Sequence, residues 1–180
     1  MTAAPAPSPA SATLGTSPPV VVSDMDGTLA TVDTWRGVMA WTLEHRPSRE
    51  VKRFVRVRLH KVALAKLGVL DKEAFRARWQ EDQAAHLAGL TPAELDAVGE
   101  WVVERTLWPA RRGPAVDAVM RAVDEARAAH PGARLVLASG AYEPIARALG
   151  RRIGADLVLA TPMELRDGTT TGRLEGPTQT

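Results

Sequence analysis

The sequence has no cysteine, few aromatic residues and no long apolar run, and each absence excludes a class of protein. Without Cys there are no disulfides, no thiolate nucleophile and no Cys-ligated zinc. No apolar run approaches the roughly 18 residues that a membrane-spanning helix needs. Residues 1–19 are rich in Ala, Pro and Ser and lack the basic start and apolar stretch of a signal peptide. They predict a disordered tail on a cytoplasmic protein.

The rest of the composition is that of an ordinary folded protein. Of the 180 residues, 45% are hydrophobic and 24% charged, which suits one domain or a core with a small inserted subdomain. The formal net charge of +2 requires neither nucleic acid nor a membrane surface as partner. Aromatic residues, at 4%, are too sparse for the base stacking of single-stranded nucleic acid binding. A nucleic-acid partner is therefore not expected.

Three short apolar runs predict the strands of a parallel sheet. They are Val20 to Ser23, Leu135 to Ala138 and Leu157 to Ala160. Helical patterns at about Pro114 to Ala129 and Glu143 to Gly150 separate the later runs, and strands that alternate with helices are typical of α/β proteins. Near the end of the chain, Asp167 and Gly168 predict a two-residue hairpin turn between two short strands.

From about Thr34 to Leu107 the pattern is helical and predicts a small bundle inserted after the first strand. Thr91, Pro92 and Glu94 form a capping-box signal at the start of one of its helices. Another helix, Arg49 to Leu67, carries a basic stripe made of Arg49, Arg53, Arg56 and His60. A solvated face is the preferred interpretation of this stripe, and steering of an anionic substrate is the alternative.

The residues that carry chemistry follow two of the predicted strands. Ligands of open parallel sheets collect at the carboxyl ends of the strands, so we expect Asp24, Asp26 and Ser139 to share one crevice. Two acids at this spacing suit a division of labour, in which one attacks or binds metal and the other moves a proton. A carboxylate nucleophile is an established route to an aspartyl phosphate. Spacing alone leaves a solvated acidic turn beside Gly27 as an equal alternative.

Three sequence segments resemble motifs of the haloacid dehalogenase (HAD) superfamily: VVVSDMDGTLA, LVLASGAYEPIARALG and GADLVLAT. The phosphoserine-phosphatase-like branch is the most similar, over residues 20 to about 177, and the helical region matches that branch's cap in position. The resemblance implies an α/β fold with a Rossmann-like parallel sheet. It divides the chain into a tail at 1–19, a core at 20–33 and 108–180, and a helical cap at 34–107.

The resemblance also implies roles for single residues. Asp24 would be the nucleophile that becomes phosphorylated, and Asp26 would protonate the leaving alkoxide and later activate water. Ser139 would bind the phosphoryl oxygens together with backbone N–H groups of Met25, Asp26 and Gly140. Mg²⁺ would be held by the Asp24 carboxylate and the Asp26 carbonyl. An acid at position 26 favours a phosphatase over a dehalogenase, leaves a phosphoryl-transferring mutase open, and makes a small phosphorylated metabolite the expected substrate.

Two elements of the family's complete site are not found in the sequence. No Lys follows Lys72, and no strand ending in a GDSxxD-type acidic motif is visible before Thr180. We therefore expect a core truncated at its C-terminus, weak Mg²⁺ binding and an exposed apolar edge at the first strand. Asp167 is better explained by its turn than as a substitute metal ligand. The competing hypothesis is a non-catalytic phosphate-binding or interaction domain, from a fragment or a degenerate relative.

Overall fold

A three-stranded parallel sheet in the order β1-β2-β3 positions the candidate site. Its strands are β1 (Val20–Ser23), β2 (Arg134–Tyr142) and β3 (Leu157–Thr161). The structure is a computed structural model that describes residues 17–66 and 72–176. Most of the tail predicted at 1–19 lies outside these residues. The α/β fold class predicted from the sequence is confirmed.

Six α-helices accompany the sheet in the described parts of the chain, and the predicted capping box begins one of them. The helices are α1 (Thr34–His45), α2 (Arg49–Lys66), α3 (Lys72–Ala84), α4 (Pro92–Val102), α5 (Gly113–Ala129) and α6 (Glu143–Ile153). A 3₁₀ turn, Ala85–Leu87, follows α3, and a π-helical turn, Val103–Leu107, follows α4. At the start of α4, Glu94 accepts a hydrogen bond from the Thr91 N–H at 2.7 Å, and the Glu94 N–H donates to Thr91 Oγ1 at 3.3 Å.

One face of the sheet is the main core. Leu135 and Leu137 of β2 are fully buried and pack with Val123 of α5 and with Ile145 and Leu149 of α6. Side chains alternate between the faces of a strand, so these residues place both helices on the same side of the sheet. The two helices that connect the strands therefore cover a single face.

The opposite face is apolar and open. The register aligns Val22, Val136 and Leu157, so their side chains share this face. Its exposed members are Val20 (54% exposed), Val22 (62%), Leu157 (46%) and Leu159 (53%). Within the described residues β1 pairs only with β2 and forms an edge of the sheet. The exposed apolar edge predicted at this strand is therefore confirmed for this part of the chain.

We expect this apolar face to cause self-association that the substitution Val22→Lys reduces. Contiguous apolar surface promotes association, and natural sheets use lysine to protect an edge from pairing with other chains. Sedimentation velocity over a concentration series measures the effect. Leu43→Lys is the matched control, because Leu43 is also an exposed aliphatic side chain (37%) but lies on α1 and not on the sheet. Equal self-association of wild type and Val22→Lys would contradict the expectation.

The helical region predicted at 34–107 leaves and rejoins the core at neighbouring points. The Thr31 N–H donates to the Ala110 carbonyl at 2.9 Å, and the Arg112 N–H donates to the Leu29 carbonyl at 2.8 Å. The two connecting segments thus run side by side next to the loop that follows β1. This arrangement suits an inserted unit, and its exact boundaries stay a prediction.

Helix α4 docks the helical region onto α6. At Gly99 a Cβ atom would lie 2.4 Å from the Pro144 carbonyl oxygen, so only glycine allows this approach. Two ion pairs between α4 and α6, Asp96 with Arg147 and Glu100 with Arg151, and one from the π-helical turn to α6, Glu104 with Arg152, flank the contact, each at 2.6 Å. Such partly exposed pairs contribute little individually. The backbone approach at Gly99 is therefore the main determinant of the close packing.

A hairpin after the sheet attaches to the helical region. Its strands are β4 (Met163–Arg166) and β5 (Thr169–Leu174), and both turn residues, Asp167 and Gly168, have positive φ values of 51° and 81°. This confirms the predicted turn and gives Asp167 a structural role. Thr170 exchanges backbone hydrogen bonds with the segment before α4: its carbonyl accepts from the Gly89 N–H, and its N–H donates to the Leu90 carbonyl.

Strand β2 is longer than predicted. It continues past Ala138 to Tyr142, with an irregular register in between, because Tyr142 resumes pairing with Thr161 of β3. Ser139 and Gly140 therefore lie within the irregular part of the strand rather than beyond its end. A local apolar pattern does not predict such an extension, since the pairing partner is distant in sequence.

The basic stripe on α2 is a solvent-facing surface in the part that the structure describes. Arg49, Arg53 and Arg56 are exposed and form no ion pair with any described residue, whereas the side chain of His60 lies outside the described residues. The preferred interpretation of a solvated face is consistent with this exposure.

Within residues 17–66 and 72–176, no helix combines the length and apolar character needed to cross a membrane.

Candidate active site

The register of β1 and β2 brings the predicted site residues to the same edge of the sheet. Ser23, the last residue of β1, pairs with Leu137 of β2. Asp24 therefore leaves β1 beside the segment that leads from Ala138 to Ser139. The carboxyl ends of adjacent parallel strands are where α/β sheets bind ligands.

A tight turn after β1 holds the two carboxylates. The Met25 carbonyl accepts hydrogen bonds from the N–H groups of Leu29 and Ala30 at 2.9 and 3.2 Å, and the Met25 side chain is fully buried. Gly27 adopts a φ of +77°, a left-handed conformation that favours glycine, and its N–H donates to the Ala30 carbonyl at 3.0 Å. The buried Met25 side chain thus anchors the turn on the core, whereas Asp24, at the N-terminal end of the turn, is exposed.

Asp24 is exposed and keeps one carboxylate oxygen open. Its Oδ2 accepts a hydrogen bond from Thr28 Oγ1 at 3.1 Å. Its Oδ1 has no hydrogen-bond partner among the described residues. The backbone N–H groups of Met25 and Asp26 likewise donate to no described group. Asp24 thus offers one carboxylate oxygen that accepts no hydrogen bond from the described residues. The two N–H groups that follow it, of Met25 and Asp26, have no described acceptor.

Asp26 occupies a different environment. It is half-buried, and its Oδ1 accepts hydrogen bonds from the backbone N–H of Thr34 at 3.0 Å and from Thr34 Oγ1 at 2.5 Å. Burial raises the pKa of Asp26, and the negative charges of Asp33 and Asp24 add to the increase, although both Thr34 hydrogen bonds lower it. Because Oδ1 already accepts two bonds, a proton on this carboxyl group resides on Oδ2.

Ser139 is held by the chain that follows it. Its Oγ accepts a hydrogen bond from the Ala141 N–H at 3.2 Å. The carbonyl of Gly140 points to two donors, Thr161 Oγ1 at 3.0 Å and Gln80 Nε2. Ser139 and Gly140, both predicted to bind phosphate, thus belong to an irregular segment of β2 that is held by β3 and by α3.

Helix α3 lies against this segment of β2. The Tyr142 hydroxyl donates to the Gln80 carbonyl at 2.6 Å, and burial raises the pKa of Tyr142, which keeps the hydroxyl a neutral donor. Next along α3, Gln83 is buried and its Nε2 donates to the Trp35 carbonyl at 2.8 Å. Gln80 therefore links α3 to β2 through its side chain and its backbone carbonyl, whereas Gln83 links α3 to α1.

Sequence reasoning missed four residues that contact the predicted site residues: Thr28, Thr34, Gln80 and Thr161. Thr28 lies within the recognised DMDGTL segment, and Thr34 follows shortly after it, so hydroxyls near two acids were a signal that was available. No local signal marks Gln80 or Thr161, because each reaches Gly140 across a large separation in sequence. Their polar character is ordinary for a helix and for a strand end.

The oxygens at this site suit a magnesium ion. Among the described residues only Oδ2 of the Asp24 carboxylate accepts a hydrogen bond, and the Asp26 carbonyl oxygen accepts none, so the carboxylate and the carbonyl are both available as hard oxygen ligands. Mg²⁺ usually takes one or two protein carboxylates and keeps several waters. Within residues 17–66 and 72–176, no group of three or more His, Cys, Asp or Glu side chains is placed to hold a metal. The site thus fits Mg²⁺ with few protein ligands.

Comparison with solved structures identifies the fold. A protein of unknown function from Bordetella pertussis Tohama I is 24% identical, with a TM-score of 0.67, over 90% of this chain and 69% of that one. A HAD family hydrolase from Salmonella enterica is 20% identical, with a TM-score of 0.53, over 88% of this chain and 45% of that one. A probable phosphoserine phosphatase from Vibrio cholerae is 20% identical, with a TM-score of 0.53, over 90% and 42%.

Comparison with protein families covers almost the whole described chain. No curated protein sequence matches. The sequence model of the haloacid dehalogenase-like hydrolases matches residues 21–179, a range that includes both strands and the turn that carry the site. The superfamily predicted from the DMDGTL wording is confirmed, and the chain belongs to the haloacid dehalogenase-like hydrolase family.

Proposed function

We propose that the protein is a Mg²⁺-dependent phosphomonoester hydrolase that acts through a phosphorylated Asp24. The observation that carries this proposal is the contrast between the two carboxyl groups. Asp24 is exposed with an open oxygen, whereas Asp26 is half-buried, its Oδ1 accepts two hydrogen bonds from Thr34, and burial raises its pKa. One acid that attacks and one that donates a proton are what ester cleavage through a covalent intermediate requires.

In the first step, Asp24 Oδ1 attacks the phosphorus atom and the bond from phosphorus to the ester oxygen breaks. The departing alkoxide takes the proton from Asp26 Oδ2, so an alcohol leaves and phospho-Asp24 remains. Ser139 Oγ and the N–H groups of Met25 and Asp26 hydrogen-bond the phosphoryl oxygens during the transfer. Donors aimed at developing charge stabilise a transition state more than they stabilise the substrate.

In the second step, water attacks the phosphorus atom of phospho-Asp24. Asp26, now ionised, accepts a proton from that water, and the bond between phosphorus and Asp24 breaks. Inorganic phosphate leaves, Asp24 is again a carboxylate and Asp26 is again protonated. The same side chain thus serves as acid and then as base, and its raised pKa suits both directions of transfer.

A bound Mg²⁺ would be held by the Asp24 carboxylate and the Asp26 carbonyl, and it would withdraw negative charge from the transferring phosphoryl group. Within the described residues these two groups are the only protein ligands proposed for the ion, so we expect weak Mg²⁺ binding. The substrate we propose is a small phosphorylated metabolite. Phosphoserine is the nearest named candidate, since the Vibrio cholerae neighbour is described as a probable phosphoserine phosphatase.

The second candidate function is a non-catalytic phosphate-binding or interaction domain. The hydroxyl of Ser139 donates to no described residue, and the N–H groups of Met25 and Asp26 have no described acceptor, which is sufficient for phosphate binding alone. In that case the exposed Asp24 and the β2 segment that contains Ser139 would bind phosphate without transferring it. The two candidates predict different results in one experiment.

We expect hydrolysis of a generic aryl phosphate that requires added Mg²⁺, stops on addition of EDTA and returns with excess Mg²⁺. Initial rates across a Mg²⁺ series, together with calorimetric binding of inorganic phosphate, provide the measurement. Turnover that survives the chelator would contradict the Mg²⁺ dependence. Phosphate binding without turnover at any Mg²⁺ concentration would contradict the hydrolase and support the non-catalytic domain.

A further inference from the structure

Two donors from different parts of the fold converge on one backbone carbonyl next to the candidate phosphate-binding residue. Thr161, fully buried at the end of β3, donates to the Gly140 carbonyl at 3.0 Å. Gln80, half-buried on α3, donates to the same oxygen through its side-chain amide. The Gly140 carbonyl is therefore fixed by a strand of the sheet and by a helix of the inserted region.

The peptide group that this carbonyl belongs to also orients Ser139. Carbonyl and N–H of one peptide unit lie in a plane and point in opposite directions. The N–H of the Gly140–Ala141 peptide is that of Ala141, and it donates to Ser139 Oγ at 3.2 Å. Rotation of the peptide would break both sets of bonds together. Holding the carbonyl thus holds the hydroxyl oxygen of Ser139.

Ser139 Oγ has capacity left for a ligand. A hydroxyl group donates one hydrogen bond and accepts up to two. Among the described residues, Ser139 Oγ accepts from Ala141 and donates to none. Its proton is therefore free for an oxygen atom in the crevice beside Asp24.

We infer that Gln80 and Thr161 are positioning residues for phosphate binding, acting on Ser139 through the Gly140–Ala141 peptide. This inference rests on the proposed function, because it names what prepares Ser139 to hold the phosphoryl group. Gln80 lies on α3, so the position of the helical region is transmitted to Ser139 through a single side chain. Tyr142 supports this link, since its hydroxyl donates to the Gln80 carbonyl at 2.6 Å.

The test uses substitutions that remove a donor and keep the shape. Thr161→Val and Gln80→Met each remove the bond to Gly140 without adding charge, and Thr161→Ser keeps a hydroxyl as the matched control. We expect the two donor-less variants to weaken inorganic phosphate inhibition and to raise KM for an aryl phosphate by about fivefold, the loss of one hydrogen bond. Thr161→Ser should stay within about twofold, and kcat should change less than KM.

Combination with Ser139→Ala separates positioning from general stability. If both residues act through Ser139, then Thr161→Val and Gln80→Met should change phosphate affinity by less than about twofold in the Ser139→Ala background. Losses of equal size in both backgrounds would overturn the inference. Gln80 is only half-buried, so Gln80→Met carries the test if Thr161→Val does not fold.

Hydrogen exchange of the Ala141 amide gives a readout that needs no turnover. We expect exchange to accelerate in Thr161→Val, Gln80→Met and Ser139→Ala, with no further increase in the double variants. Unchanged exchange in the single variants would overturn the inference whether or not the protein is active. A wild-type protein that neither binds phosphate nor hydrolyses its esters would instead contradict the proposed function, and the two failures are thereby distinct.

Discussion

Replacing Asp24 by Asn is expected to abolish phosphate ester hydrolysis, with a loss on the order of 10³-fold or more. An amide oxygen is a poor nucleophile, and no other carboxylate follows β1 at the same exposed position. The fold should persist, because Asp24 is exposed and its one hydrogen bond, from Thr28 Oγ1, is available to an amide oxygen as well. Initial rates with an aryl phosphate and Mg²⁺ measure the loss, and thermal unfolding checks the fold.

Asp124→Asn is the matched control for this experiment. It makes the same chemical change at an exposed position in the C-terminal half of α5 and should leave the rate unchanged. Wild-type protein quenched in acid during turnover should carry one phosphoryl group by mass spectrometry, and Asp24→Asn should carry none. Equal rates for wild type and Asp24→Asn would contradict the nucleophilic role.

Replacing Asp26 by Asn should reduce hydrolysis of alkyl phosphates by about 10²- to 10⁴-fold, the usual contribution of a positioned acid–base group. The loss should be smaller for aryl phosphates, because a phenolate leaves without full protonation. Asn retains an oxygen that accepts the two Thr34 hydrogen bonds, so the local structure is kept. Rates across a series of leaving groups of rising pKa measure the effect. A loss that is independent of the leaving group would contradict the role of Asp26 as acid.

The same substitution should also change how stability depends on pH. Burial raises the pKa of Asp26 above its ordinary value of 3.8, so the folded state favours the protonated carboxyl group. The free energy of unfolding that the protonated Asp26 carboxyl group contributes is fully present below the ordinary pKa. It is lost as the pH rises through the pKa of the folded state. Asp26→Asn should therefore be more stable than wild type at neutral pH, and the difference should vanish in acid. Chemical unfolding at several pH values gives the comparison.

The raised pKa and the exposed neighbour together explain why two acids of one turn are not equivalent. Asp24 stands in water with an open oxygen, whereas the Asp26 carboxyl group lies under the start of α1 and accepts hydrogen bonds from Thr34. Their separation in sequence is only two residues. The difference in environment arises because the turn directs one side chain outward and the other toward the helix that begins the inserted region.

Much of the fold was predictable because its signals are local. The Thr91 capping box, the Asp167–Gly168 turn and the apolar run of β1 are each contained within a few residues, and the structure has all three. The family assignment likewise rested on contiguous wording around Asp24. Backbone preferences and short motifs act over one turn of chain, so they can be read without knowing what the chain packs against.

By itself, the sequence determined the superfamily, placed two acids directly after an apolar strand, and put a serine where the apolar run of the second strand ends. Tertiary structure alone decided that Thr34 holds Asp26, that Gln80 and Thr161 hold the Gly140 carbonyl, and that β2 extends to Tyr142. These are pairings between residues distant along the chain. A hydrogen bond between such residues depends on their relative position in space, which no local pattern of residues encodes.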